Sequence, residues 1–112
     1  MLSRYKYGIF SEWLAKTYLQ FKLYKIIESR FKTKFAEIDL IASRKNCLIF
    51  IEVKSRKNLD PSFHPIDNQQ LLRIRRAAEY FIYKHQYYSG FDIRFDYIQI
   101  NLPFIKHFTN AF

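Results

Sequence analysis

Residues 37–54, EIDLIASRKNCLIFIEVK, contain two apolar, strand-like runs that carry charged residues where a core usually has aliphatic ones. The charged positions are Glu37 and Asp39 in the first run and Glu52 and Lys54 in the second. Because residues two apart in a strand point to the same face, each run presents its two charged side chains in one direction. The stretch therefore predicts two neighbouring strands that share a charged end.

The register of this strand pair decides whether the two runs bring their carboxylates together. A hairpin loop of two or four residues around 44–46 would place Asp39 opposite Glu52, and it would also place Glu37 opposite Lys54. Directly opposed side chains have Cβ atoms about 5 Å apart. A three-residue loop would instead send the two carboxylates to different faces of the sheet.

Two carboxylates at the end of an apolar strand repel each other and are costly to desolvate, so they need a compensating partner. Carboxylate oxygens are preferred ligands of Mg²⁺ and Mn²⁺, and these ions also bind substrate phosphates. Lys54, on the same face as Glu52, could neutralise a phosphate oxygen or help to deprotonate an attacking water. The pattern indicates metal-assisted hydrolysis of a phosphodiester.

A purely structural explanation of the same residues is also open at this point. Glu37 and Lys54 could form a cross-strand ion pair, while Asp39 and Glu52 reach solvent at a sheet edge. Glu-x-Lys alone is a common triplet. Its combination with a preceding Asp39, at the end of an apolar strand, is a more specific signal.

Composition predicts one globular domain over residues 1–112. The 112 residues are 49% hydrophobic and 20% aromatic, so the chain can bury a core. The net charge of +9 attracts polyanions, and nucleic acid is the leading partner class, with an acidic membrane surface or an acidic protein as alternatives. The single Cys47 fits a reducing compartment, and we expect a cytoplasmic protein without a membrane span.

Hydrophobic periodicity predicts the element order α-β-β-β-α-β, with an irregular aromatic tail after the last strand. The predicted elements are a helix over 3–21, strands over 23–32, 36–43 and 47–54, a loop over 58–65, a helix over 67–88 and a strand over 93–100. Asp67 is the expected cap of the second helix. Asp96 is expected to be the ion-pair partner of a basic residue.

The first helix carries two opposite stripes. The aromatic stripe consists of Phe10, Trp13, Leu14, Thr17 and Phe21. The opposite stripe, here called the small stripe because it is small apart from one leucine, consists of Gly8, Glu12, Ala15 and Leu19. The helical wheel favours the aromatic stripe as the core face. If the small stripe faces the sheet instead, the aromatic stripe is available to another subunit, which predicts a homodimer.

Basic residues cluster in two places beyond the strand pair. Arg56 and Lys57 follow the Glu-x-Lys triplet, and Arg73, Arg76 and Lys84 lie on the second helix opposite its apolar stripe. That stripe contains Leu71, Ile74, Ala77, Ala78, Phe81 and Ile82. The basic residues could form a rim that binds DNA phosphates, although a solvated helix face has the same appearance.

Several blocks of the sequence carry a family resemblance. They are AEIDLIA, FIEVKSR, RRAAEYF, RFDYIQI and HFTNAF, together with the small stripe of the first helix. With these blocks the chain resembles the YraN family of bacterial proteins and, behind it, the PD-(D/E)XK nuclease superfamily that includes archaeal Holliday-junction resolvases. The resemblance implies a restriction-endonuclease-like α/β fold, in which a mixed central sheet is flanked by helices and the small stripe faces the sheet.

The resemblance also implies a site. Active relatives use positions that match Glu12, Asp39, Glu52 and Lys54. We therefore expect a metal-dependent nuclease that acts on DNA, including branched or single-stranded DNA. Asp39, Glu52 and Glu12 would hold Mg²⁺ or Mn²⁺, with Lys54 acting on the water or the scissile phosphate. The alternatives are a nucleic-acid-binding module without catalysis and a protein-interaction scaffold that uses the aromatic stripe.

Overall fold

The computed structural model describes residues 4–55 and 67–112. Within these ranges the chain forms two helices and five strands, with a short 3-10 turn after the second helix. The elements are α1 (Arg4–Phe21), β1 (Lys25–Lys32), β2 (Glu37–Arg44), β3 (Cys47–Ser55), α2 (Asn68–Lys84), the 3-10 turn Gln86–Tyr88, β4 (Asp92–Asn101) and β5 (Phe104–Phe108). Neither helix of this described part is long and apolar enough to span a membrane.

The five strands form one mixed sheet in the order β1-β2-β3-β4-β5. Strands β3 and β4 are parallel, and the other neighbours are antiparallel. Parallel strands need a long crossover, and the segment that contains α2 supplies it. The mixed α/β architecture and the order of helices and strands confirm the sequence prediction.

The irregular tail was a wrong prediction, because the chain adds the strand β5 at the edge of the sheet. β5 pairs with β4 from Asn101↔Phe104 to Tyr97↔Phe108. Its residues alternate between exposed and half-buried, so no residue of the strand is fully buried. A short edge strand of this kind has little of the apolar alternation by which strands are recognised.

The loop between β2 and β3 has two residues, Lys45 and Asn46, both with positive φ of 50° and 62°. Positive φ at both positions matches the right-handed twist of a tight hairpin. Pairing runs from Arg44↔Cys47 to Leu40↔Ile51. Of the registers that the sequence left open, this is the one that pairs the two carboxylates, and Asp39 and Glu52 are the next two positions along it.

Helix α1 turns its small stripe toward the sheet. Ser11, Ala15 and Leu19 are buried, whereas Trp13 is 55% exposed and Phe21 is 85% exposed. The wheel-based preference for an aromatic core face was therefore wrong, and the orientation implied by the family resemblance is confirmed. Small side chains let the helix axis approach the sheet, where Ala15 and Leu19 join the apolar residues of β2, β3 and β4.

Helix α2 covers the opposite face of the sheet. Asp67 caps it as predicted, because its Oδ1 accepts a hydrogen bond of 2.7 Å from the Gln70 N–H. Its buried residues are Ile74, Ala77, Ala78 and Phe81. The helix ends at Lys84, before the predicted end, since the chain continues as a 3-10 turn. With a core on either side, β3 has the double cover that its apolar sequence predicted.

Asp96 lies fully buried in β4 and joins the C-terminal residues to the sheet. Arg94 donates to both of its oxygens at 2.8 Å, His107 Nε2 lies 2.7 Å away, and the Asn110 N–H donates at 2.9 Å. Burial alone would raise the pKa of Asp96, but the hydrogen bonds outweigh it and hold the pKa below its usual value. Asp96 is the partner of a basic residue, as predicted.

Candidate functional site

The β2–β3 ladder gives way to a side-chain hydrogen bond at Asp39, the position that faces Glu52. Asp39 Oδ2 accepts a hydrogen bond of 2.8 Å from the Val53 N–H. The two carboxyl groups are close enough to interact electrostatically.

Burial makes this a poor place for two negative charges. Glu52 is only 4% exposed and Asp39 is half-buried. Burial is the main cause that raises the pKa of Asp39 to about 6 and that of Glu52 to about 8. The neighbouring Asp39 carboxylate raises the Glu52 pKa further, while Lys54 lowers the pKa of both groups. A cation beside the pair would favour the charged form of both carboxyl groups.

One oxygen of the pair is unsatisfied. Glu52 Oε1 is buried and has no hydrogen-bond partner among the described residues. Such an orphaned acceptor is costly unless a ligand or ion completes it. Mg²⁺ binds through one or two carboxylates and completes its shell with waters and substrate phosphates. Asp39 and Glu52 therefore fit a divalent cation of this type.

Glu12 lies in a cleft of about 240 Å³ that also includes Asp39. It is near enough to contribute to the raised pKa of Asp39. Arg30 Nε donates to Glu12 Oε2 at 2.9 Å, and Lys16 Nζ lies 3.7 Å from Oε1. Within residues 4–55 and 67–112, no three His, Cys, Asp or Glu side chains gather closely enough to hold a metal ion. The structure thus brings the carboxyl groups of Asp39 and Glu52 close together. It brings Glu12 close to Asp39 but not to Glu52.

Lys54 stands two residues after Glu52 on β3, where its charge acts on both carboxyl groups. In the described part of the chain, no salt bridge joins it to Glu37. The purely structural explanation also required Glu52 to reach solvent, yet Glu52 is buried. That explanation is wrong on both counts.

Two residues of this region were missed by the sequence analysis. Arg30 lies in the middle of β1 opposite Asp39, between the pairs Ser29↔Leu40 and Phe31↔Ile38, and has a positive φ of 55°. Ser11 lines the cleft, and its buried Oγ has no hydrogen-bond partner within the described ranges. No local sequence pattern predicts a role for either residue. Arginine rarely adopts a positive φ, and a single serine carries no recognisable signal.

Strand β2 is irregular at the same point. Ile38 packs in the core under α2, whereas Leu40 packs in the core under α1. Residues two apart normally share a face, so the strand must twist sharply at Asp39. This irregularity explains how Asp39 enters the cleft on the α1 side while it remains beside Glu52.

The basic rim predicted on the second helix is exposed to solvent. Arg73, Arg76 and Lys84 are exposed on α2. Arg56 and Lys57 lie outside the described residues.

Comparison with known proteins identifies the family. Residues 11–100 match the uncharacterised protein family UPF0102. The chain belongs to this family. It is 38% identical to a UPF0102 protein of Rhodopseudomonas palustris strain BisB18, over 99% of this chain and 83% of the relative. It is also 37% identical to one from Nitrobacter winogradskyi, with 94% and 90% covered, and 40% identical to one from Fervidobacterium nodosum, with 90% and 77% covered.

Proposed function

We propose that this protein is a divalent-metal-dependent nuclease that hydrolyses DNA phosphodiesters. The observation that carries the proposal is the Asp39–Glu52 pair, in which Asp39 is half-buried and Glu52 is buried with an unsatisfied oxygen. The element order and this site also support membership of the PD-(D/E)XK superfamily, with its restriction-endonuclease-like fold.

In this proposal Asp39 and Glu52 hold Mg²⁺ or Mn²⁺. The ion, when bound, supplies Lewis-acid activation and neutralises charge on the phosphate. Lys54 stabilises a phosphate oxygen or helps to remove a proton from the attacking water. Glu12 assists from across the cleft, which requires its ion pair with Arg30 to loosen.

DNA is the proposed substrate because the chain carries a net charge of +9 and an exposed basic helix face. Phosphate contacts make binding salt-dependent, with a slope of about −0.9 in log affinity against log salt for each duplex phosphate neutralised. Replacing Arg73 and Arg76 together with alanine should flatten that slope. The single Cys47 favours a reducing compartment, so the proposed location is the cytoplasm.

Cleavage of labelled duplex, single-stranded and branched DNA, with Mg²⁺, Mn²⁺ or EDTA, tests the proposal. We expect metal-dependent products from at least one substrate and their loss in Asp39→Asn and Lys54→Ala. Asp92→Asn, an exposed carboxylate at the far end of the sheet, is a matched control and should cleave normally. Products that persist in Asp39→Asn would overturn the proposal and indicate a contaminating nuclease.

A nucleic-acid-binding module without catalysis is the second candidate. The ion pairs of Glu12 with Arg30 and Lys16 favour it, because they satisfy a carboxylate that the nuclease needs. Salt-dependent DNA binding without cleavage of any substrate, under either metal, would support this candidate over the first.

A further inference from the structure

Two surface depressions meet on the α2 side of the molecule. One has a volume of about 600 Å³ and the other about 450 Å³, and both include Phe35 and Tyr80. Together they form one groove from the β1–β2 turn across the outer side of α2, here called the aromatic groove. Its lining residues are Lys32, Thr33, Lys34, Phe35, Arg76, Glu79, Tyr80 and Tyr83.

The two tyrosines of the aromatic groove are exposed, and lysines contact the rings of Phe35 and Tyr80. Tyr83 is 73% exposed and Tyr80 is 39% exposed. Lys34 Nζ lies 5.4 Å from the centre of the Phe35 ring, and Lys84 Nζ lies 5.6 Å from that of Tyr80. Each lysine lies over a ring face through a cation–π contact and can exchange that contact for a phosphate.

The charge around the rings selects an anionic occupant. Among the described residues that line the aromatic groove, Lys32, Lys34 and Arg76 are basic and Glu79 alone is acidic. A positive groove with interleaved aromatic rings is how proteins bind single-stranded nucleic acid, whose unpaired bases stack on the rings. A duplex cannot use the rings in this way because its bases already stack on one another.

The aromatic groove begins at the hairpin that also carries the cleft. Lys32 lines the groove, and its register partner across the hairpin is Glu37, which lines the cleft with Asp39. A strand whose phosphates follow Lys32 would therefore pass over the end of the hairpin toward the carboxylate pair. This continuity connects an unpaired segment in the groove with a phosphodiester in the cleft.

We infer that the aromatic groove binds unpaired nucleotides, so that the substrate of the cleft is DNA with a single-stranded portion. The identity of the substrate rests on the proposed nuclease function. Binding to the groove does not, because it needs neither the metal nor the carboxylates. The two ideas can therefore fail separately.

Anisotropy of a fluorescein-labelled oligo(dT), titrated with the full chain in EDTA, measures groove binding without cleavage. Tyr83→Ala should weaken binding about 5-fold or more, since stacking contributes about 1–3 kcal/mol per base. The matched control is Tyr87→Ala, which removes a tyrosine that is 79% exposed on the 3-10 turn and should leave the affinity unchanged. Equal affinity of wild type and Tyr83→Ala would overturn the inference.

A second experiment, which measures fluorescence quenching, separates base stacking from simple charge attraction. The Tyr83→Trp variant is made in a Trp13→Phe background, so that it contains a single tryptophan. Oligo(dT) should quench the fluorescence of this tryptophan, whereas heparin and blunt duplex DNA should not. Equal quenching by heparin would contradict a base-binding groove, and quenching by duplex alone would assign the surface to double-stranded DNA.

The cleavage assay then distinguishes the two failures. Asp39→Asn should bind oligo(dT) like the wild type, because Asp39 lies in the cleft and not in the groove. If that affinity is retained and Tyr83→Ala lowers it, the groove inference stands even when no DNA is cleaved. If the wild type cleaves DNA and Tyr83→Ala cleaves and binds normally, the groove inference alone is wrong.

Discussion

At the scale of single residues, Asp39 and Glu52 occupy positions where the protein disfavours charge. Both pKa values are raised, to about 6 and about 8, mainly by burial. Two apolar side chains would pack there without repulsion, so the pair lowers the stability of the metal-free fold. Destabilising arrangements of this kind cluster at functional sites, which is why the pair supports a binding role.

These pKa values predict how stability changes with pH. Carboxyl groups titrate near pH 4 in the unfolded chain, so between about pH 4 and 8 the folded state holds more protons than the unfolded state. The contribution of the pair to the free energy of unfolding therefore falls as pH rises through this range. Asp96 has the opposite sign, but its lowered pKa confines its effect to lower pH.

Urea unfolding in EDTA at pH 5 and pH 8 measures this effect. We expect the wild type to lose stability between the two, and we expect Glu52→Gln to lose less. If Glu52→Gln and the wild type change in parallel, Glu52 does not have a raised pKa in the folded state.

The sequence predicted that Asp39 and Glu52 would face each other, but it did not predict their surroundings. Asp39 and Glu52 could be paired because strand alternation and a two-residue loop are regular geometry. Arg30 could not be found, because its contact with Glu12 depends on a left-handed residue inside a strand and on how α1 meets β1. That contact is set by tertiary packing and leaves no local signal.

At the scale of elements, the strands were more predictable than the faces of the helices. The alternation in β3 required cover on both sides, and α1 and α2 supply it. The face of α1 was ambiguous because both of its stripes contain apolar residues, and only contact with the sheet decides between them. Ala15 and Ser11 are buried against the sheet, where their small side chains allow a close approach of the helix.

The irregular part of β1 leads to a prediction about metal affinity. Arg30 holds Glu12 in an ion pair and adopts a positive φ of 55°, a conformation that asparagine tolerates better than arginine. Arg30→Asn should keep the strand geometry and release Glu12, so that Mn²⁺ binds more tightly. Isothermal titration calorimetry measures the Mn²⁺ affinity of the wild type, Arg30→Asn and Lys16→Ala. The Lys16→Ala variant is the comparison, because it removes only the longer contact of 3.7 Å with Glu12. Weaker Mn²⁺ binding in Arg30→Asn would show that Arg30 supports the site.

At the scale of the whole molecule, the outer face of α1 stays available to a partner. Phe10 and Trp13 stack with ring centres 6.0 Å apart, and Trp13 and Phe21 are exposed. Exposed aromatic clusters commonly mark interfaces, and a symmetric dimer would bury two copies of this stripe together. The homodimer therefore stays a prediction with a defined surface.

Sedimentation velocity over a range of concentrations tests the dimer. We expect reversible association in the wild type and a monomer in Trp13→Glu, because a buried unpaired charge opposes the contact. Tyr87→Glu, an exposed aromatic position away from α1, should associate normally. A wild type that remains monomeric at high concentration would exclude the dimer.

Thermal melting with and without Mn²⁺ tests most directly whether Asp39 and Glu52 form a divalent-cation site, as we propose. A ligand that binds only the folded state raises the melting temperature. We expect Mn²⁺ to raise it in the wild type and in Lys54→Ala, but not in Asp39→Asn, which should match or exceed the wild type in EDTA because it removes repulsion. A melting temperature that responds to Mn²⁺ equally in Asp39→Asn and the wild type, or in neither, would contradict the claim.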